Sequence, residues 1–249
     1  MEDKDLIRYS RHIMLPEIDI EGQISISSSK IAVVGLGGLG CSASVYLAAS
    51  GVGELNLIDN DLIDLSNLQR QILFSEADLN KKKVDTAKIK LTSLNENIKV
   101  NSSNLRLNKS NIRKILEGSE IVLDCTDNFE TRKVINAYCL NEKKILISGS
   151  SQGWKGQFLA LDFRNENSPC YECFFEDLKG EDLSCRESSI FSPLVGIIGS
   201  FMASELIKKL ISIGELKSEI IEIDLKQNIF RRLNLRKNEN CLLCSKVKK

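Results

Sequence analysis

Asn67, Gln69, Arg70 and Gln71 place four polar side chains within five positions, in the stretch DLSNLQRQ (64–71). A glycine turn and an acid-ended strand come shortly before it. A plain dinucleotide site has no evident need for an arginine there. Phosphoryl or nucleotidyl transfer does need cations, because negative charge must be stabilised on the phosphates. Arg70, Lys83 at a helix start and Arg11 in an N-terminal helix are the candidates. The same chemistry needs a carboxylate oxygen for a magnesium ion. Asp127 in DCTDN, just past a strand end, suits that role. Taken singly, Arg70 reads equally well as a surface ion pair and Lys83 as part of a solvated lysine run. Grouped at the strand ends of one sheet, they favour a phosphate site.

Gly35, Gly37 and Gly40 fit G-x-G-x-x-G, with Gly38 as an extra glycine. Such a turn lets backbone approach a phosphate at a helix N-terminus. Asp59 ends the next strand, about 20 residues on, where a carboxylate can accept ribose hydroxyls. This signal fits NAD, FAD and ATP alike. A nicotinamide-dependent oxidoreductase would leave Arg70 unexplained, and the sole histidine, His12, lies outside the sheet. A nucleotide-binding scaffold without catalysis is the other competing reading.

The chain has eight cysteines. Cys170 with Cys173, and Cys241 with Cys244, form two C-x₂-C pairs, which fit a closed tetrahedral zinc site of four thiolates. Cys41, Cys125 and Cys139 sit in apolar contexts and are expected to be buried. Cys185 follows the polar stretch KGEDLS and precedes Arg186, whose charge can lower the thiol pKa.

These residues need elements to position them. The spacing predicts a helix over 3–13, a strand from 30 into the glycine turn, a helix over 38–51 and a strand over 54–59. A helix over 82–94 follows, with Val84, Ala87, Ile89 and Leu91 as core positions. Then come a strand over 120–125, a helix over 129–142 and a strand over 144–149. That alternation predicts a doubly wound α/β fold, a mostly parallel sheet with helices on both faces. Beyond residue 150 the pattern changes. Residues 154–163 alternate like an antiparallel strand, 193–212 read as a long helix, and 218–225 with 228–235 as a hairpin.

The expectation is one continuous domain over 1–249: helices to 29, a nucleotide-binding core over 30–150, and a carrier-binding and zinc part over 151–249. Lys plus Arg and Asp plus Glu number 34 each, so no basic excess suggests nucleic acid. The N-terminus has no signal-peptide core, and the apolar stretch 193–207 is short and contains Glu205, so no membrane span and a cytoplasmic location are expected.

With these motifs in view, the chain resembles the ThiF/MoeB/HesA family, relatives of ubiquitin-activating enzymes. The resemblance rests on RYSRHIMLPEIDIEGQ, VVGLGGLGCSASVYLAASGVGELNLIDND, DLSNLQRQILF, LDCTDNFETR, SPCYECFF, PLVGIIGS and the closing CLLC. It implies a Rossmann-like fold and ATP-dependent adenylation of the C-terminus of a small sulfur-carrier protein, with Mg²⁺ at the site and structural Zn²⁺ on the four cysteines. It puts Gly38, Asp59, Ser66, Asn67, Arg70, Lys83, Asp127 and Asn128 on nucleotide-contact positions, and Asp61 and Gln69 join the candidates. Arg11 falls on an arginine contributed across a homodimer interface. A sulfur-donor enzyme is a further implied partner, and Cys185 a candidate for a covalent carrier adduct. The molybdopterin branch is favoured over the thiazole branch. Two departures stand out: Asn80-Lys81-Lys82 replaces glycine-arginine-proline before Lys83, and RESSIF follows the usual cysteine.

Overall fold

The computed structural model describes residues 1–175, 189–213 and 218–245. The N-terminal helices are α1 (Asp3–Arg8), α2 (Ser10–Ile13) and α3 (Asp19–Ser28). Next come β1 (Lys30–Val34), α4 (Gly38–Ala49), β2 (Glu54–Ile58), α5 (Lys83–Leu94) and β3 (Lys99–Ser103). The short α6 (Ile112–Ile115), β4 (Ile121–Asp124), α7 (Phe129–Asn141) and β5 (Ile145–Gln152) follow. The chain then turns into β6 (Lys155–Asp162), α8 (Glu172–Phe175), α9 (Ser192–Leu210), β7 (Glu219–Asp224) and β8 (Ile229–Asn234).

All eight strands form one sheet in the order β3-β2-β1-β4-β5-β6-β7-β8. Strands β1 to β5 pair in parallel, and β6, β7 and β8 are added antiparallel. The strand order reverses at β1, between β2 and β4. Ligands of open α/β sheets bind in the crevice at such a reversal.

Both faces of the parallel part are covered, as its near-continuous apolar strands require. Ile31 and Val33 of β1 enter one core, with α4, α5 and α9; Ala32 and Val34 enter the other, with α6 and α7. The small residues of α4 let α9 approach closely. A Cβ at Gly199 would lie 2.6 Å from the Leu39 carbonyl oxygen, so a larger residue there would force the two helices apart.

Two local expectations need correction, and one strand went unread. The helix over 3–13 is two helices broken at Tyr9, where ψ is 9°. Tyr9 turns inward there and its hydroxyl accepts a hydrogen bond from Asn95 Nδ2 at 2.8 Å. Ile89 is 70% exposed, on the outer face of α5. Strand β3 had no sequence expectation, because KVNSS is mostly polar. It is an edge strand, and Asn101 meets polar partners on β2, Glu54 and Asn56. No helix among the described residues is long and apolar enough to cross a membrane.

Candidate active site

The C-terminal ends of β1, β2 and β4 open into a cleft of about 1160 Å³. Its glycines are there for different physical reasons. Gly35 has φ 91°, and a Cβ on it would come 2.8 Å from the Cys125 carbonyl oxygen. A Cβ on Gly40 would overlap the Gly35 carbonyl oxygen at 1.9 Å, so Gly40 serves helix–turn packing and does not line the cleft. Gly37 lines the cleft at the N-cap of α4, and a Cβ there would meet nothing within 4 Å. That open space beside the first turn of α4 can admit a phosphate to its backbone N–H groups. Asp59 secures the turn: its carboxylate accepts from Leu36 N at 2.6 Å and Asp61 N at 2.8 Å.

The cations sit on the same wall. Lys83 is 4% exposed, yet its Nζ lies on the cleft and meets Asp61 Oδ2 at 2.9 Å. A buried ammonium without a partner would be strongly unfavourable, and Asp61 at the rim supplies one. Lys82 is exposed, at the N-cap of the helix. The preceding Asn80 takes φ 63°, a left-handed conformation that asparagine tolerates where a glycine is usual. Arg70 lines the cleft and donates from Nη1 to the Ser66 carbonyl at 3.1 Å.

Ser66, Asn67 and Gln69 build the turn that presents Arg70 and do not line the cleft themselves. Asp64 caps that turn, accepting from Ser66 N at 2.8 Å and from its hydroxyl at 2.6 Å. Asn67 Oδ1 accepts in return from Asp64 N at 3.4 Å. The Gln69 carbonyl accepts from the Ser192 hydroxyl, which ties the turn to α9.

Asp127 and Asn128 reach the cleft from the turn between β4 and α7. Asn128 also caps α7, accepting from Thr131 N at 2.9 Å. Asp127 is exposed where it lines the cleft, and its carboxylate supplies hard oxygen atoms of the kind magnesium takes. Arg11 is exposed on α2 and does not line this chain's own cleft. Cys185 lies outside the described residues. Cys41, Cys125 and Cys139 are buried. Cys125 lines the cleft, but burial pushes its thiol well above the ordinary value, so it is a poor nucleophile.

Several charged groups at the site, Arg106, Lys155 and Arg231 among them, escaped the sequence reading, and one of them is buried. Arg132 of α7 is 6% exposed and projects beneath the β4–α7 turn toward Asp124, which is 1% exposed. The available signal was an acid closing an otherwise apolar strand, with an arginine in the following helix. Buried charges come in pairs, and these two are 3.6 Å apart.

The sulfurs of Cys170, Cys173, Cys241 and Cys244 all lie within 4.8 Å of one another. Cys170 is 3.8 Å from Cys173 and 3.6 Å from Cys241, and Cys173 is 3.5 Å from Cys244. A disulfide needs about 2.05 Å. Tetrahedral zinc with Zn–S bonds of about 2.3 Å would put the sulfurs about 3.8 Å apart. The neighbouring Cys170 thiol and the backbone N–H groups of Asn238 and Cys170 hold the Cys173 thiol below its ordinary value. Such donors around a sulfur suit a metal-bound thiolate.

The chain matches the ThiF family over residues 9–243. It belongs to that family. A molybdopterin-synthase adenylyltransferase of Salmonella typhimurium is 40% identical over 245 residues, covering 98% of each chain. A sulfur carrier protein ThiS adenylyltransferase of Escherichia coli is 39% identical, over 98% of this chain and 97% of that one. Among solved structures, E. coli MccB with ATP superposes with a TM-score of 0.83 at 27% identity, over 96% of this chain and 74% of that one. The cysteine cluster and the cleft thus belong to a ThiF-family adenylyltransferase fold.

Proposed function

We propose that this ThiF-family chain adenylates the C-terminal carboxylate of a small ubiquitin-like sulfur-carrier protein, in molybdopterin biosynthesis. One observation carries the reading: the fold converges Gly37, Asp59, Arg70, Lys83 and Asp127 on a single cleft. The carrier's carboxylate oxygen attacks the α-phosphorus of ATP. A new P–O bond forms, the bond to the pyrophosphate oxygen breaks, and an acyl-adenylate remains. No side-chain nucleophile is needed; positioning and charge stabilisation suffice.

Gly37 and the start of α4 would receive phosphate, and Asp59 the ribose. Arg70, Lys83 and Arg11 of the partner subunit in a homodimer would stabilise phosphate charge. Asp127 would hold Mg²⁺, which when bound neutralises phosphate oxygens. Residues 151–249 would form the carrier-binding and zinc part, with a structural Zn²⁺ on the four cysteines. Sulfide-level sulfur from a sulfur-donor enzyme would then attack the acyl carbon in the cytoplasm, forming a C–S bond as the C–O bond to AMP breaks, which leaves a thiocarboxylate and free AMP. Cys185 would act in that later transfer, so Cys185→Ser should keep pyrophosphate exchange and lose only a reductant-sensitive carrier adduct on intact-mass analysis.

The thiazole sulfur carrier is the second reading, because a relative named for that carrier is 39% identical and one named for molybdopterin synthase 40%. ATP–pyrophosphate exchange with each carrier tests both. Faster exchange with the molybdopterin carrier is expected. Faster exchange with the thiazole carrier would reverse the assignment, and no carrier-dependent exchange with either would end it.

A further inference from the structure

The turn that carries Asp127 and Asn128 leaves β4 at its C-terminal end, where the strand opens into the cleft, and its backbone is held from beneath by a buried ionic lattice. Arg132 Nη1 donates to the Ser148 hydroxyl at 3.0 Å, and Nη2 donates to the Gly149 carbonyl at 2.7 Å. The same Nη2 donates to the carbonyl of Thr126, the residue just before Asp127. Asp124 completes the lattice from the other side. One of its oxygens accepts from Thr126 N at 3.0 Å and from the Thr126 hydroxyl at 2.6 Å. The other accepts from the Ser148 hydroxyl at 2.7 Å. Thr126 is therefore gripped at its amide, hydroxyl and carbonyl, and both grips are referenced to β5 through Ser148.

From this geometry we infer that Arg132 and Asp124 are positioning residues for adenylation, fixing the Thr126–Asn128 backbone so that Asp127 is held at the cleft. The inference rests on the adenylation reading above. A purely packing role would be served as well by two apolar side chains, since replacing a buried ion pair in that way is often neutral or stabilising. The contacts point elsewhere: the guanidinium's partners are turn and strand-end oxygens that line or border the cleft. Burial would lower the guanidinium's pKa, and neighbouring Asp124 raises it above its ordinary value, so the group stays charged and its fork stays fully donating. Tyr171, which also lines the cleft, stands against Arg132. Its backbone N–H donates to Asn136 Oδ1 at 3.0 Å, one turn further along α7. The same helix face thus fixes the catalytic turn at one end and the segment beginning the cysteine cluster at the other.

The test uses Arg132→Lys, which keeps the charge but loses the planar fork, and the double variant Arg132→Gln with Asp124→Asn, which strands no buried charge. Backbone hydrogen exchange is measured on the intact protein, alongside carrier-dependent ATP–pyrophosphate exchange over a magnesium titration. In both variants, faster hydrogen exchange over residues 125–131 is expected, with β1 and β5 still protected. The rate should fall by about a hundredfold at low magnesium, the scale of an ångström-sized misplacement, and recover in part as magnesium is raised. An unchanged turn with normal magnesium dependence would overturn the inference. So would protection lost equally across β1, β4 and β5, which would make the pair a fold element only. Wild-type protein with no carrier-dependent exchange would instead overturn the adenylation reading, and the hydrogen-exchange pattern would still judge the positioning role.

Discussion

The two halves of the sheet are held together differently. Strand β4 buries all four of its residues between two helical layers. Strand β8 buries none of its six, and Phe230 and Leu233 are exposed on it. A strand sandwiched by helices is positioned by packing on both faces as well as by its sheet partners, and the cleft opens at the ends of such strands, taking in residues of β6, β7 and β8 as well. The last strand lacks that support. The segment after it returns instead to the four-cysteine cluster, where Cys241 and Cys244 are buried in one core with Leu159, Leu161 and Ile220. On the proposed function, the chemistry would rest on the half sandwiched by helices, and the half assigned to the carrier would be tied down at the cysteine cluster.

Metal removal should break the comparison most. If a single zinc per chain clips the C-terminal half, Cys244→Ser or chelation should lower the melting temperature and open 218–245 to protease. Residues 30–149 should stay protected. Structural zinc in small sites contributes about 10 kcal/mol of apparent binding free energy, so loss of the clip should exceed the effect of any single polar substitution. A metal-free protein with unchanged melting would refute the assignment.

A charge deletion in the half sandwiched by helices should do the reverse, costing rate and leaving the fold. Lys83→Ala and Arg70→Ala should each slow pyrophosphate exchange by at least about a hundredfold, roughly 3 kcal/mol of transition-state stabilisation. Stability should change little in Lys83→Ala, because the partner left behind, the Asp61 side chain, is 60% exposed and remains solvated. Lys82→Ala, one residue earlier and solvent-facing, should be mild. A severe Lys82 effect beside a mild Lys83 effect would move the phosphate contact to the neighbouring lysine.

The same division explains what the sequence revealed. The parallel core was legible because its strands are apolar runs and its turns carry glycine and acid at characteristic separations. The clustering of Arg70, Lys83 and Asp127 followed from their placement after strand ends. Strand β3 was not legible, since a polar edge strand has neither an apolar run nor a clean alternation. Ile89 misled because helical periodicity marks which positions can face inward and does not say how wide the buried stripe is. Ser66, Asn67 and Gln69 build the turn that presents Arg70, through hydrogen bonds that spacing does not reveal. Arg132 was missed for a related reason: its partners are backbone and side-chain oxygens brought together only by the fold.

Arg11 gives the smallest expected signal and the sharpest division of labour between subunits. It is exposed on α2 and absent from its own chain's cleft, so sharing across a homodimer requires it to complete the other subunit's site. Arg11→Ala and Asp127→Ala should each be inactive alone. In a two-fold dimer mixed at equal amounts, half of the dimers are mixed, and each has one site with both wild-type groups. About a quarter of all sites should then be intact, so about a quarter of wild-type exchange activity should return. The second site of each mixed dimer carries both substitutions and contributes nothing. If Arg11 acted within its own chain, every site would lack one group or the other, and mixing would restore nothing. Native mass spectrometry of isotopically distinct subunits establishes that exchange has occurred; no recovery in such a mixture would remove Arg11 from the partner's site.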